Sequence, residues 1–184
     1  MKPKFIVLGI VVLVGLWVWF GYNRLIAGQF SVNAAWSNVE SDYQRRADLV
    51  PNLVSTVKGA ANFEQSTFIA VTEARTKWLS AGDNREARIA AAQTFDSAMS
   101  KLLVTVEAYP QLQATQAFRD LMAQLEGTEN RINTSRKDYN TVVAAYNIRV
   151  KSFPSNVLAW LFGFTGQSSF QAQPGAEKVP TVTF

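Results

Sequence analysis

The chain opens with one uninterrupted apolar stretch and continues with amphipathic patterns. Residues 5–22 read FIVLGIVVLVGLWVWFGY, which is eighteen positions without a charged side chain. A helix rises about 1.5 Å per residue, so a stretch of this length reaches about 27 Å, close to the roughly 30 Å of a bilayer's hydrocarbon core. The pattern therefore predicts a single transmembrane helix.

Aromatic rings crowd the far end of this stretch, where amphipathic side chains favour the headgroup level of a membrane. We expect one membrane interface at Trp17, Trp19, Phe20 and Tyr22. The basic residues Lys2 and Lys4 precede the span, and the positive-inside bias then places the main domain outside the cytoplasm. A cleaved signal peptide is the alternative, but the stretch is long for a signal and no A-x-A-like cleavage site follows it.

Beyond the anchor, apolar residues recur at steps of three and four from Val32 to Val57. This spacing predicts a helix that ends near Gly59. Pro51 falls inside the pattern and lacks the N–H that would bond to the carbonyl of Ala47. We therefore expect a kink or a helix restart at Pro51.

Two further helices are predicted in the middle of the chain. One runs over 62–79 with Asn62 as its candidate cap. The next begins at Asp83 and Glu86, which have capping-box spacing, and its apolar stripe continues to Val106 before Pro110 ends it.

The fourth pattern is the most regular, because residues 118–153 place apolar side chains at steps of four and three over about five heptads. Four amphipathic helices joined by short connections predict an all-α fold, an antiparallel four-helix bundle of long helices. A long coiled-coil hairpin with the second and third helices merged is the alternative. The predicted division is an anchor at 1–22, a bundle at 23–153, and a short apolar helix with an irregular tail at 154–184.

Two charged residues interrupt the apolar stripe of the fourth helix. Glu129 and Arg136 occupy heptad positions, where an unpaired buried charge costs several kcal/mol. We expect Glu129 to pair with Arg46 on the first helix, and Arg136 to pair with Asp42 or Asp48. A structural ion pair that fixes helix register is a more common arrangement than a catalytic dyad.

Polar residues also follow regular stripes on the first and fourth helices. Such a stripe is usually the wet face of a helix, but amides at heptad spacing also set partner choice, so a subunit contact is the second interpretation. The candidate residues are Asn38, Ser41, Arg45 and Asn52 on the first helix, and Asn133, Asn140 and Asn147 on the fourth.

A short, very apolar segment follows Pro154. It either folds back as a lid on the bundle, or it meets a membrane surface or a neighbouring subunit. The candidate contact residues are Leu158, Trp160, Leu161, Phe162 and Phe164.

The amino-acid composition limits the kinds of metal site and catalytic site that the chain can form. The chain has 18 Lys and Arg against 14 Asp and Glu, and it has no histidine and no cysteine. Thiolate and imidazole metal sites, cysteine nucleophiles and imidazole bases are therefore excluded. No basic stripe suited to a phosphate backbone is present, so we expect neither a nucleic acid partner nor a cofactor.

Several motifs together resemble the LemA family of bacterial proteins with one N-terminal membrane helix. The matching segments are QRRADLVPNLV at 44–54, YPQL at 109–112, LEGTENRI at 125–132 and FGF at 162–164. The resemblance implies a helical bundle anchored in the bacterial inner membrane, without an established enzymatic activity. It also implies links to membrane organisation and envelope stress, and to membrane-bound metalloproteases as neighbours.

These observations predict a membrane-anchored scaffold or adaptor that is not an enzyme and that binds copies of itself or another membrane protein. The alternative is a transmembrane sensor with a ligand site between its helices. An enzymatic interpretation would need Glu129, Asp48 or Tyr139 as an acid or a base.

Overall fold

The computed structural model describes residues 3–58 and 65–171. Every regular element in these ranges is helical, which confirms the predicted all-α class. The antiparallel arrangement of a four-helix bundle stays a prediction at that level of detail. The elements are α1 Pro3–Lys58, α2 Gln65–Leu79, α3 Arg85–Glu107, α4 Pro110–Gln113, α5 Gln116–Lys151 and α6 Ser155–Phe162.

Helix α1 carries the apolar stretch of the sequence. Among the described residues it is the one helix long and apolar enough to cross a bilayer, and its apolar window is unburied. The helix continues without interruption past residue 22 and contains Pro51 in its interior, so the predicted restart at Pro51 is wrong. The kink stays a prediction, and the predicted terminator Gly59 and cap Asn62 lie outside the described residues.

Helices α2 and α3 are separate, which rules out the merged helix of the coiled-coil hairpin alternative. The chain turns between them at residues 80–84, where Gly82 has a φ of 65°. The cap of α3 is Asn84, whose side chain accepts a 2.9 Å hydrogen bond from the backbone N–H of Ala87. The predicted cap at Asp83 was therefore one residue early, because it is Asn84 that has the extended backbone (φ −71°, ψ 113°) of a cap.

Helix α5 buries most of its heptad positions but ends before the predicted last one. Phe118, Leu125, Ile132 and Tyr139 are buried as the spacing predicted. The helix ends at Lys151, and Phe153 is 84% exposed. The residue before a proline is disfavoured in a helix, so Pro154 accounts for the early end.

The described residues form two compact units. Unit 1 consists of residues 3–39 and 137–169, and unit 2 consists of residues 40–58, 65–136 and 170–171. The predicted division into an anchor, a bundle and a C-terminal part concerns the roles of these segments, and it stays a prediction.

Unit 1 holds α6 against the first half of α1. Leu25, Leu158 and Ala159 form a buried cluster. Trp36 and Tyr139 add a second contact between α1 and α5, with ring centroids 5.3 Å apart.

Unit 2 has its core around α1, α2 and α3, where the Tyr43 and Trp78 rings lie 4.7 Å apart. The same region also supplies a donor for the helical hydrogen bond that is missing at Pro51. Since Pro51 has no N–H, the carbonyl of Ala47 lacks its helical donor. Arg75 on α2 replaces it, because its Nε donates a 2.7 Å hydrogen bond to that oxygen.

Candidate functional site

A cluster of four charged side chains from α1, α3 and α5 lies in unit 2, with Arg46 and Asp96 buried at its centre. Arg46 is 1% exposed, and its guanidinium donates to Asp96 Oδ1 at 2.5 Å and to a carboxylate oxygen of Glu129. Arg136 donates to Asp96 Oδ2 at 2.8 Å. Two arginines and two carboxylates therefore balance each other in charge, so the buried Arg46 and Asp96 are both paired.

Asp96 is the centre of this cluster. Besides the two arginines it accepts from the Tyr43 hydroxyl, which lies 3.0 Å from each carboxylate oxygen. A buried carboxylate with three donors around it is satisfied and held in one geometry.

Aromatic rings enclose the cluster. The Arg46 guanidinium lies 5.0 Å from the centroid of the Tyr43 ring and 5.5 Å from that of Phe95. Arg136 lies 4.6 Å above Phe170, whose ring is parallel to that of Tyr43 within 4°. The π faces of these rings attract the two cations.

Burial is the main cause that raises the pKa of the Tyr43 hydroxyl well above its usual value, and the neighbouring Asp96 carboxylate adds to it. Tyr43 is thus a neutral donor at ordinary pH. The cluster joins side chains of three helices, and the Glu129 carboxylate, 47% exposed, is its most open member. Among the described residues no group of three His, Cys, Asp or Glu side chains is placed to hold a metal ion.

The predicted partner of Arg46 is Glu129, and the structure brings these two together. The predicted partner of Arg136 was wrong, because Asp96 on α3 takes the place expected for Asp42 or Asp48. Asp48 is exposed and accepts from the amide of Gln44 instead. Asp96 could have been found from its spacing, since it follows Ile89 of the apolar stripe by seven residues.

Next to the cluster, unit 2 has an open cavity of about 680 Å³ between α3 and α5. Apolar side chains form its walls, among them Met99, Leu103, Phe118 and Met122. Arg46 and Glu129 also line it, so the cavity meets the ion cluster at one side.

A smaller, polar groove of about 180 Å³ lies on another side of unit 2. It is lined by Arg45, Gln124, Gly127, Thr128 and Arg131. A Cβ added to Gly127 would meet no heavy atom within 4 Å. Of the predicted contact residues, Asn38, Ser41, Arg45, Asn52 and Asn133 are exposed.

The remaining predicted amides, Asn140 and Asn147, are half-buried in unit 1. The side chain of Asn147 is engaged within the chain, because it accepts from the backbone N–H of Gln167 at 2.7 Å and donates to the same residue's carbonyl at 2.8 Å. Tyr139 donates to the carbonyl of Ser168 at 2.6 Å. Asn147 and Tyr139 thus hold the segment after α6 along α5.

The apolar C-terminal residues divide into two groups. Leu158 is buried and Phe164 is half-buried, so neither forms part of an exposed surface. Trp160, Leu161 and Phe162 are exposed. The predicted interface residues Trp17, Trp19, Phe20 and Tyr22 are all exposed as well.

One long apolar helix that continues into helical units fits a single-pass, membrane-associated protein. The chain belongs to the LemA family, whose family model matches residues 35–184.

Named relatives agree with this assignment. Magnetosome protein MamQ 2 of Paramagnetospirillum magneticum is 29% identical over 187 aligned positions, which cover 88% of this chain and 68% of the relative. Magnetosome protein MamQ of Magnetospirillum gryphiswaldense is 26% identical with the same coverage. Protein LemA of Metamycoplasma hominis is 23% identical, over 91% of this chain and 78% of the relative.

Proposed function

We propose that this protein is a non-enzymatic scaffold or adaptor, anchored in the bacterial inner membrane by α1, with its helical units on the extracytoplasmic side. Its task is to bind a second copy of itself, or another membrane protein, through the polar groove of unit 2. The observation that carries the proposal is the open space around Gly127 in the interior of α5.

A glycine in a helix interior is less favourable than alanine by about 1 kcal/mol, so its presence needs a reason. Packing within the described residues does not explain this glycine, because no heavy atom lies within 4 Å of the position where a Cβ would be. Close approach of a helix from a binding partner would be a reason for a glycine here. Arg45 and Arg131 flank the glycine and supply charged donors for such a partner.

The groove includes Arg45 from the predicted contact residues, and Ser41, Asn52 and Asn133 are exposed on the same two helices. We include these four in the proposed surface. Asn147 is left out, because the chain's own backbone occupies its amide.

The family adds a context for this role. The magnetosome names of the relatives support a function in membrane organisation, and the family resemblance suggests envelope stress and a membrane-bound metalloprotease as a partner. These are proposals about the setting in which the scaffold works.

The test uses the full chain in detergent, with the protein mass measured by gel filtration and light scattering. We expect the native chain to contain more than one copy, and the Gly127→Leu variant to be a monomer with unchanged helix content. Ala144→Leu is the control, because Ala144 is exposed on the same helix and the same leucine side chain is introduced there. A native chain that is strictly monomeric and captures no membrane protein on cross-linking in cells would contradict the proposal, as would a Gly127→Leu variant that associates normally.

A sensor is the second candidate, and the 680 Å³ cavity beside the ion cluster favours it. Its apolar walls and its charged side suit an amphipathic small molecule of the size that such cavities hold. A thermal-shift screen against amphipathic metabolites tests this, with Met122→Trp as the variant that fills the cavity. No shift with any compound would contradict the sensor function.

A further inference from the structure

Helix α6 is fastened to the last turn of the apolar span. Leu158 lies so close to Gly21 that a Cβ added there would come within 2.3 Å of its Cδ1 atom. The ring of Tyr22 contacts Phe162 edge-on, with centroids 4.9 Å apart, and Phe164 at 5.8 Å. The level of α6 along α1 is therefore that of residues 21–25, at the end of the span where the predicted interface residues lie.

Helix α6 is terminated by a glycine cap directly after Phe162. Gly163 has a φ of 74°, a left-handed conformation that other residues adopt at a cost, and its N–H and that of Phe164 bond back to the last turn of α6.

The free side of α6 is unusually apolar for a surface. Trp160 is 82% exposed, and Val157, Leu161 and Phe162 beside it are exposed as well. Phe153, in the connection that leads into α6, is also exposed. A cluster of this kind in water marks a contact surface.

Two arginines lie beside the same helix. Arg24 of α1 and Arg149 of α5 line a cavity of about 460 Å³ together with Trp17, Phe20 and Ser155. No carboxylate is among the described residues that line it. Guanidinium groups bind phosphate oxygens in a forked geometry, and basic pockets at the ends of membrane helices bind anionic headgroups.

We propose that α6 is a second membrane contact that lies in the headgroup region, and that the cavity between Arg24 and Arg149 binds the phosphate of an anionic phospholipid. The occupant follows from continuity, since the apolar surface of α6 adjoins the exposed span of α1 through Tyr22 and Gly21. An amphipathic interfacial helix with aromatic residues on its apolar face is an established mode of membrane binding. This proposal does not depend on the scaffold function, because none of its residues lies in the groove around Gly127.

The first experiment measures the depth of α6 in the full chain. Because the chain has no cysteine, Trp160→Cys carries a single site for a fluorescent label. The matched control is Thr141→Cys, which is exposed on α5 and two turns farther from its C-terminus than Arg149. Both labelled proteins are placed in lipid nanodiscs, whose two faces are open to soluble quenchers.

We expect the label at position 160 to lie roughly 5–10 Å into the headgroup and acyl boundary, so that nitroxide lipids quench it and iodide does not. The label at position 141 should show the reverse. Adding Gly21→Leu to Trp160→Cys should restore iodide quenching, because the new side chain takes the place of Leu158. Equal iodide quenching at both positions would overturn the proposal, and so would protection from iodide without nitroxide quenching, which would indicate a second protein copy.

The second experiment measures lipid binding by native mass spectrometry of the full chain with phosphatidylglycerol or phosphatidylcholine. We expect the Arg24→Gln/Arg149→Gln variant to lose affinity for phosphatidylglycerol by about thirtyfold at low salt, the effect of two basic side chains at an anionic surface. Lys77→Gln/Lys101→Gln removes the same charge from exposed positions of α2 and α3 and should bind normally. An unchanged affinity in the first variant, or displacement of the lipid by inorganic phosphate, would overturn the site.

Discussion

The Nε atom of Arg75 donates a 2.7 Å hydrogen bond to the carbonyl oxygen of Ala47, the oxygen that Pro51 leaves without its helical donor. A charged side chain from α2 thus repairs a backbone defect in α1. This contact lets the proline stay inside a continuous helix and ties α2 to α1 at one defined level.

Replacing Arg75 by Met should lower the free energy of unfolding by about 1.5–3 kcal/mol, since a charged donor to a carbonyl is lost. In a Pro51→Ala background the loss should be smaller, because the alanine N–H then satisfies Ala47. The measurement is a double-mutant cycle from chemical unfolding of the full chain in detergent. Equal losses in both backgrounds would show that Arg75 acts independently of the proline.

Replacing Arg46 by Leu should lower the free energy of unfolding by about 3–5 kcal/mol, because Asp96 stays buried with part of its charge unpaired. Arg45→Leu is the matched control at the next position, where the side chain is exposed. Glu129→Gln should cost less than Arg46→Leu, since the Glu129 side chain is 47% exposed and solvent can screen it. Thermal unfolding of the three variants checks the order, and an unchanged melting temperature for Arg46→Leu would contradict it.

Alkaline pH should destabilise the native chain through Tyr43. Burial raises the pKa of this hydroxyl above its usual value of 10.0, so above that pH the unfolded chain releases a proton that the native chain keeps. The unfolded state then binds fewer protons, and stability is present below pH 10 and lost as pH rises.

The Tyr43→Phe variant has no such proton, so its stability should fall less steeply above that pH, by about 1.4 kcal/mol per pH unit. Its stability at neutral pH should be lower than that of the native chain, since the hydrogen bond to Asp96 is lost. Unfolding curves of both proteins across the alkaline range give the comparison. Parallel pH profiles would mean that Tyr43 titrates alike in both states.

Two tyrosines of α5 should respond in opposite ways to loss of the hydroxyl. Tyr139→Phe removes a 2.6 Å hydrogen bond to the Ser168 carbonyl and should cost about 1 kcal/mol. Tyr146 has a buried hydroxyl without a hydrogen-bond partner in the described part of the chain, so Tyr146→Phe should be neutral or stabilising. Melting temperatures of the two variants test this, and a larger loss for Tyr146→Phe would reverse the interpretation.

Hydrophobic periodicity predicted two of the long helices and one of the ion pairs. The steps of three and four placed α1 and α5, and the charges set into those stripes predicted that Arg46 and Glu129 meet, as they do in the structure. Asp96 was missed because the apolar spacing of α3 runs through its neighbour Phe95, and an apolar spacing gives no sign of a buried carboxylate beside it.

Hydrogen bonds from side chains to backbone groups could not be predicted from hydrophobic periodicity. The bond from Arg75 to Ala47 joins residues 28 positions apart, and no propensity indicates which side chain reaches a freed carbonyl. The two hydrogen bonds between Asn147 and the backbone of Gln167 involve a segment without regular structure, where periodicity carries no information.

Phe170 follows Arg136 by 34 positions, yet its ring covers both Arg136 and Tyr43 in unit 2. The helices of this unit thus depend on a residue from beyond α6 to complete their packing at Arg136 and Tyr43. A protease that cleaved the chain between α6 and Phe170 would therefore uncover the guanidinium of Arg136 and the ring of Tyr43, far from the cleavage site in the sequence.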